Sequence, residues 1–545
     1  MQLKGNIVDV IARKIYPAII EIVDGKIKSI TPTSGEYTNY ILPGLIDSHV
    51  HIESSMMIPS RFADLVVPRG TVAVVSDPHE IANVCGVKGV EYMLEDAEKV
   101  PLKCFFGVPS CVPATQFETS GSQISTADIE YLFKKDTWFL AEMMNFPGVI
   151  YGDKEVKAKL DLAKKHNLPI DGHAPGIHGE DLQKYAEGGI TTDHECFTVE
   201  EALEKIGLGI KVQIREGSAA RNFEALHSLI SEKPMDTMLC TDDSHPDLII
   251  KKGHIDRLIK MGLDKGYSIF EIYQTAVINP VQHYNIPVGL LQVEDDADLI
   301  VVDNLEDFNV LSTYINGEKV AENGQSLFDI PEVELINNFQ CSALKRDSLT
   351  IVAPDDTPLL RVMEAEDGEL LTGEYKWQTT VKKGEVINAD LEEDIIKIVV
   401  VNRYKNNLPT IGFIKNFGLK TGALASSVAH DSHNIVAIGC DDISLIKVIN
   451  EVISSKGGIA ACDETDVKIL ELPVAGLMSD KKGSEVAKKY TALNSFVQDL
   501  GCAMKAPFMT LAFMPLLVIP SLKIGDKGLF DVNTFSITSL FIEDE

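Results

Sequence analysis

Between residues 44 and 243 the chain repeats one pattern eight times: a short apolar run rich in β-branched residues, a polar cluster, then a helix-like stretch. The runs are GLIDSHVH (44–51), TVAVVSD (71–77), LKCFFGVPS (102–110), TWFLAEM (137–143), LPIDGHA (168–174), GITTDHE (189–195), IKVQIRE (210–216) and DTMLCTDD (236–243). Between them, segments such as GVEYMLEDAEKV (89–100) and DKEVKAKLDLAKKHN (153–167) carry helical spacing. Near-continuous apolar strands need cover on both faces, and alternation with helices makes them parallel. Eight such units predict a (β/α)8 TIM-like barrel, an α/β fold whose chemistry is built at the C-terminal strand ends.

The flanks read differently. Residues 2–30 break into short strands, LKGNIVDVI, AIIEIVDG and KIKSI, with Asp24-Gly25 as a hairpin turn. Short strands return in GLLQVEDDADLIVVDN and STYINGEKV (289–320). The expected organisation is a small flanking β-sandwich from residues 1–43 and 285–335, the barrel over 44–284, and an additional C-terminal α/β domain over 340–545. In that last domain TGALASSVAHDSHNIVAIG reads as strand and loop, and DISLIKVINEVISSKGG and GSEVAKKYTALNSFVQDLG read as helices.

Charge narrows the partners. With 81 acidic against 50 basic residues the net charge is −31, which repels nucleic-acid backbones and anionic membranes. The uncharged run 506–522 is short and holds Pro507, Pro515 and Pro520, so it reads as buried core and not as a membrane span. The first twenty residues alternate polar and apolar and lack the apolar core of a signal peptide. Nine cysteines without a CxxC pair are expected to be reduced, in a cytoplasmic protein.

Of thirteen histidines, eleven fall between residues 49 and 283. His49 and His51 end the first run two positions apart, and in a strand such residues point to one side. Run four ends in Glu142, run five in His173, run six in His194 and run eight in Asp242. Four imidazoles and two carboxylates converging on one mouth suit zinc, iron or manganese better than magnesium or calcium. Six ligands exceed the needs of one tetrahedral ion and predict a two-metal site with a bridging carboxylate. SDPHEIANV, at the end of run two, adds Asp77, His79 and Glu80; Asp77 and Glu80 either serve the substrate or cap the helix after Pro78. Glu216 or Ser218 of REGSAARN (215–222) either lines the pocket or leads into the next helix. His430 and His433 of AHDSHN either cover the mouth or pack locally. Asp47 reads as structural, and Glu53 is left open.

An HxH after the first strand, histidines after the fifth and sixth, and an aspartate after the eighth resemble the amidohydrolase superfamily. Many two-metal members bridge their ions with a carboxylated lysine after strand four. Here TWFLAEMMNFPGV has no lysine and Glu142 takes that place, unlike hydantoinases and dihydroorotases. PGLIDSHVHIESSM, SDPHEIANVCG, AEMMNFPGV, DGHAPG, the DHE of 193–195, CTDDSHPD and VAHDSHN resemble adenine deaminases of the bacterial and archaeal type, over nearly the whole length. SDPHEIANV and the domain after residue 340 are not general superfamily features.

This resemblance implies hydrolysis of adenine to hypoxanthine and ammonia, with two divalent ions, manganese or iron first and zinc as the alternative. It implies His49, His51 and Asp242 on one ion, His173 and His194 on the other, and Glu142 between them. Asp242 would also move protons, with Asp77 and Glu80 as acids near the purine. Thr241-Asp242 fits the superfamily's small-residue–Asp ending, with Asp243 as the alternative ligand. The implied partner is a small molecule, without nucleic acid or membrane, and the implied assembly is a homo-oligomer, most simply a dimer. Other readings are hydrolysis of a different aminopurine, aminopyrimidine or cyclic amide, or an inactive barrel serving as a binding scaffold.

Overall fold

The structure, a computed structural model, describes residues 1–218 and 220–543. Ala219, inside the REGSAARN run, and the last two residues of the C-terminal span lie outside the described residues.

Two groups of strands from opposite ends of the barrel region join in one sheet. Strands β1–β4 are Gln2–Asp9, Lys14–Val23, Lys26–Pro32 and Tyr40–Pro43. Asp24 and Gly25, with φ of +50° and +79°, form the tight turn between β2 and β3; this backbone suits glycine and, among other residues, aspartate. The eight barrel strands β5–β12 are Leu45–Val50, Thr71–Ser76, Lys103–Val108, Thr137–Met143, Ile170–Gly172, Thr192–Asp193, Lys211–Arg215 and Thr237–Cys240. After the barrel, β13–β16 (Leu299–Val302, Val310–Ile315, Glu318–Glu322, Gln325–Ser326) complete the flanking sheet in the order β16-β15-β14-β13-β4-β1-β2-β3. Its strands alternate between two cores. Ile7, Ile41 and Leu299 point into a core of the sheet's own, while their neighbours Val8, Leu42 and Ile300 join the core shared with the barrel.

The barrel strands are parallel and hydrogen-bonded in sequence order from β5 to β12. The seam between β12 and β5 closes through Asp242, whose N–H donates to His49 O at 2.9 Å and whose carbonyl accepts from His51 N at 3.4 Å. Every residue of β5 and β6 is buried, as expected for strands covered on both faces. The outer layer includes α1 (His79–Cys85), α2 (Val87–Ala97), α3 (Lys154–Lys165) and α4 (Pro246–Lys252). Asp153 caps α3, accepting from Glu155 N at 2.9 Å and Val156 N at 3.0 Å.

The C-terminal region carries a second large sheet. Its strands β17–β24 are Leu359–Glu364, Gly373–Gln378, Ile395–Val401, Thr410–Lys415, Ala423–Ser426, Ile435–Gly439, Gly458–Cys462 and Val467–Glu471, in the order β18-β17-β20-β19-β22-β21-β23-β24. Helix α5 (Asp442–Ser454) covers one face through Leu445, Val448, Ile449 and Val452. Helix α6 (Gly483–Asp499) packs against α4 of the barrel, and Tyr490 OH lies 2.7 Å from His245 Nδ1. The uncharged run after Lys505 forms a short helix, α7 (Pro507–Ala512), and a coil, largely buried. No helix among the described residues is long and apolar enough to cross a membrane.

Candidate active site

The mouth of the barrel gathers the side chains from the strand ends. His49 and His51 leave the end of β5 with ring centres 4.9 Å apart. Asp242 follows β12 in the left-handed region, at φ +54°, a strained conformation for a residue with a side chain. Behind it Asp47 accepts from Thr241 N at 3.0 Å and Thr241 Oγ1 at 2.5 Å and meets His254 Nε2 at 3.0 Å. Asp47 is therefore a buried brace for the last strand.

Glu142, at the end of β8, divides its two carboxylate oxygens between two groups of imidazoles. Oε1 lies 3.3 Å from His51 Nε2 and 3.5 Å from His79 Nδ1. Oε2 lies 2.8 Å from His173 Nδ1 and 3.2 Å from His194 Nε2. Asp242 Oδ1 lies 3.3 Å from His51 Nε2 and 3.8 Å from His49 Nε2. Burial by itself would raise the Glu142 carboxyl, but His173, His194 and His51 hold it well below the usual carboxylate range. Asp242 is held low in the same way, burial being outweighed by Arg215, His51 and His194.

Whether this cluster suits metal ions is tested by its unpaired atoms. Both ring nitrogens of His49 are buried and have no hydrogen-bond partner among the described residues. Buried polar atoms are ordinarily paired, so these orphans need an explanation. Burial, with His194 and His51 alongside, keeps the His49 imidazole well below its usual pKa, whereas at His51, His173 and His194 the nearby carboxylates outweigh burial and raise it. The ligand atoms of His49, His51 and Asp242 lie within 4.8 Å of one another, as do those of His49, Glu142 and His194, and those of His51, Asp77, His79 and Glu142. The six residues expected at the strand ends converge on one centre, and their donor set fits divalent ions.

Around them the strand-two segment divides its labour. Asp77 directs both oxygens at His79, accepting from its backbone N–H at 3.0 Å and lying 3.0 Å from its Nδ1. Glu80 is buried and lines the cleft. Glu53 accepts from Ile81 N at 3.2 Å, and burial next to Glu80 pushes its carboxyl up to about 7. Asp243 turns to Ser54 Oγ at 2.5 Å, one position past the aspartate that faces the histidines.

Two charged groups on this mouth were not picked out from the sequence. Arg215 Nη1 lies 2.6 Å from Glu195 Oε1 and 2.5 Å from Asp242 Oδ2, and Glu195 Oε1 is 3.5 Å from His194 Nε2. Both stand at strand ends, in DHE and in IKVQIRE, so the position rule that found the histidines also covers them. Of the two readings of the seventh loop, the structure favours the second: Glu216 and Ser218 are not among the residues lining the cleft. Glu216 sits between Arg221 at 3.7 Å and Arg257 at 3.8 Å, and Ser218 Oγ accepts from His245 N at 2.8 Å. The C-terminal domain roofs the cleft with Leu370, Phe513, Leu516 and Ile519, and His430 and Asp431 reach down into it.

A closed (β/α)8 barrel whose mouth holds four imidazoles around a shared glutamate and an aspartate after strand eight is an amidohydrolase, and the amidohydrolase family model matches residues 40–320. A second model, the adenine deaminase C-terminal domain, matches residues 369–536. The chain is 52% identical to an adenine deaminase of Methanosarcina mazei over 99% of both chains. It is 48% identical to one of Sulfurovum sp. over 98% of both, and 47% identical to one of Salinibacter ruber over 99% of both. The chain belongs to the adenine deaminase family.

Proposed function

We propose that this chain hydrolyses adenine to hypoxanthine and ammonia with the help of two divalent ions. The observation that carries the reading is Glu142, which offers one oxygen to His51 and the other to His173 and His194 at the mouth of the barrel. His49, His51 and Asp242 would hold one ion and His173 and His194 the other, with Glu142 between them. Manganese or iron suits this mixed nitrogen and oxygen set, with zinc as the alternative. When bound, such a pair makes water acidic enough to supply hydroxide near neutral pH.

The protein's own groups move the protons. Converting adenine to hypoxanthine adds one water, whose oxygen becomes the carbonyl at C6. One of its protons ends on the ring nitrogen beside C6 and the other on the departing amine. Asp242 and Glu80 are both held ionised by their cationic neighbours. Asp242, facing His51 and His49, carries a proton to the amine as ammonia leaves. Glu80, which lines the cleft, carries the other to the ring nitrogen. Asp77 orients His79 beside Glu142. The apolar roof of Leu370, Phe513, Leu516 and Ile519 matches the flat face of a purine and keeps water from it.

The same reading places the enzyme in the cytoplasm as a homo-oligomer, most simply a dimer. The described cysteines are all free, which suits a reducing compartment. The strongly acidic charge gives no attraction to nucleic acid or to an anionic membrane. The deciding assay follows ammonia release from adenine, guanine, cytosine and adenosine by manganese-loaded protein. Adenine is expected to be turned over fastest; a much better turnover of another base removes the assignment.

A further inference from the structure

We propose that His430 and His433, on the loop between β21 and β22 of the C-terminal domain, are positioning residues for Glu80 in this reaction. The proposal rests on the reading that Glu80 carries a proton to the purine ring. Glu80 belongs to the barrel, in the first turn of α1, and its carboxylate ends beneath that loop. One oxygen lies 2.7 Å from His430 Nδ1, and the other is in close contact with His433 Nε2, which has no aligned hydrogen-bond partner among the described residues and so has Glu80 as its nearest acceptor. The terminal torsion of a glutamate is ordinarily broad. Contacts to both oxygens from two different rings restrict it to one orientation.

Each ring is itself fixed. His433 accepts the N–H of Ala429 on Nδ1 at 3.2 Å, which leaves its proton on Nε2, the atom facing Glu80. The His430 ring lies flat on Phe513, with centres 4.4 Å apart and planes 8° apart, and its backbone N–H donates to Ala512 O at 2.9 Å. Beneath the carboxylate, Glu53 holds the N–H of Ile81 and so the first turn of α1. The carboxylate is gripped from above by one domain and anchored from below by another. A proton carrier has to accept and deliver along fixed directions, because misplacement by an ångström is costly in rate. On this geometry the two imidazoles hold Glu80 toward the cleft and exchange no proton with the substrate. The C-terminal domain is then part of the chemistry as well as a roof.

The test compares manganese-loaded wild type, Glu80→Gln, His433→Ala and the double variant Glu80→Gln/His433→Ala. Adenine kcat and KM, bound metal per chain and thermal unfolding are measured for each. His433→Ala is expected to lower kcat about 10- to 100-fold, less than the roughly 10²–10⁴-fold that the proton-transfer group itself contributes, because Glu80 is misplaced and not removed. KM for adenine should stay within about twofold and metal content should match wild type, the split expected when only the transition state loses an interaction. The double variant should be no slower than Glu80→Gln alone, because both changes remove one function. His433→Gln, which keeps an N–H donor, should recover part of the loss. If His433→Ala fails to fold, His430→Gln is read in the same way. Wild-type kcat in a folded, metal-replete histidine variant, or losses that multiply in the double variant, overturns the proposal. An indifferent Glu80→Gln, or a wild type that leaves adenine untouched, defeats the underlying reading instead.

Discussion

Arg215 and Asp242 meet at 2.5 Å through Nη1 and Oδ2, so the aspartate that faces the histidines is neutralised from behind by the neighbouring strand. The same guanidinium holds Glu195 at 2.6 and 2.9 Å, and all three side chains are buried. Arg215→Gln leaves two buried carboxylates without their cation. Removing one partner from a buried ion pair costs about 3–5 kcal/mol. The variant is therefore expected to unfold at lower denaturant and to lose turnover as the Asp242 carboxyl rises. Arg215→Lys, which keeps the charge but not the fork, should fall between. Denaturant unfolding with wild-type stability in Arg215→Gln would show that the pair does not carry the charge balance of this mouth.

Glu142 and Glu80 are both buried carboxylates among imidazoles, yet they should fail differently. Glu142 stands between the two halves of the ligand cluster, so Glu142→Gln is expected to lower bound manganese per chain as well as activity. Glu80→Gln should keep its metal and lose about 10²–10⁴ in kcat. Elemental analysis of protein grown with manganese separates them. Full metal in Glu142→Gln would remove it from the bridging position.

Stripping the metal is expected to lower stability as well as activity. Ions that bind only the folded chain add stability by mass action, about 2.7 kcal/mol at a hundred times Kd. Chelator treatment should lower the unfolding midpoint, and added manganese should raise it in a dose-dependent way. A midpoint indifferent to manganese would mean that the histidines and carboxylates around Glu142 do not hold the ions.

The barrel was legible because its strands alternate with helices and end in chemistry, a pattern local to each unit of the sequence. His49, His51, Glu142, His173, His194 and Asp242 could be placed because each stands at a strand end, and strand ends meet at one mouth. Arg215 and Glu195 obeyed the same rule but read as ordinary charge, since nothing local says which of Arg215 and Glu216 turns inward. Contacts between domains left no local trace. His430 and His433 meet Glu80 across some 350 residues of chain, and a loop histidine looks the same whether it packs locally or holds a catalytic group. Phe513, Leu516 and Ile519 were readable as buried, but an apolar run does not announce that it roofs a cleft at the barrel mouth.

Lys523 supplies a pH test remote from the metal ligands. Its amine is buried and, among the described residues, has two backbone carbonyls as its hydrogen-bond partners, Leu370 O at 2.7 Å and Phe513 O at 3.1 Å, both belonging to residues of the cleft roof. Burial pushes its pKa down to about 7 from an ordinary 10.5. Above about 7 the folded chain has released a proton that the unfolded chain keeps until about 10.5. Folding of this group is thus disfavoured most below pH 7, and stability rises with pH through that window. The full swing is on the order of a few kcal/mol. Lys523→Met removes the titration and forfeits the two hydrogen bonds, a loss of about 1–3 kcal/mol for the stranded carbonyls. The stability of wild type relative to Lys523→Met should therefore increase steadily between pH 7 and 9, measured by denaturant unfolding at each pH. A difference that stays flat across that range would mean that the amine keeps its proton inside the fold.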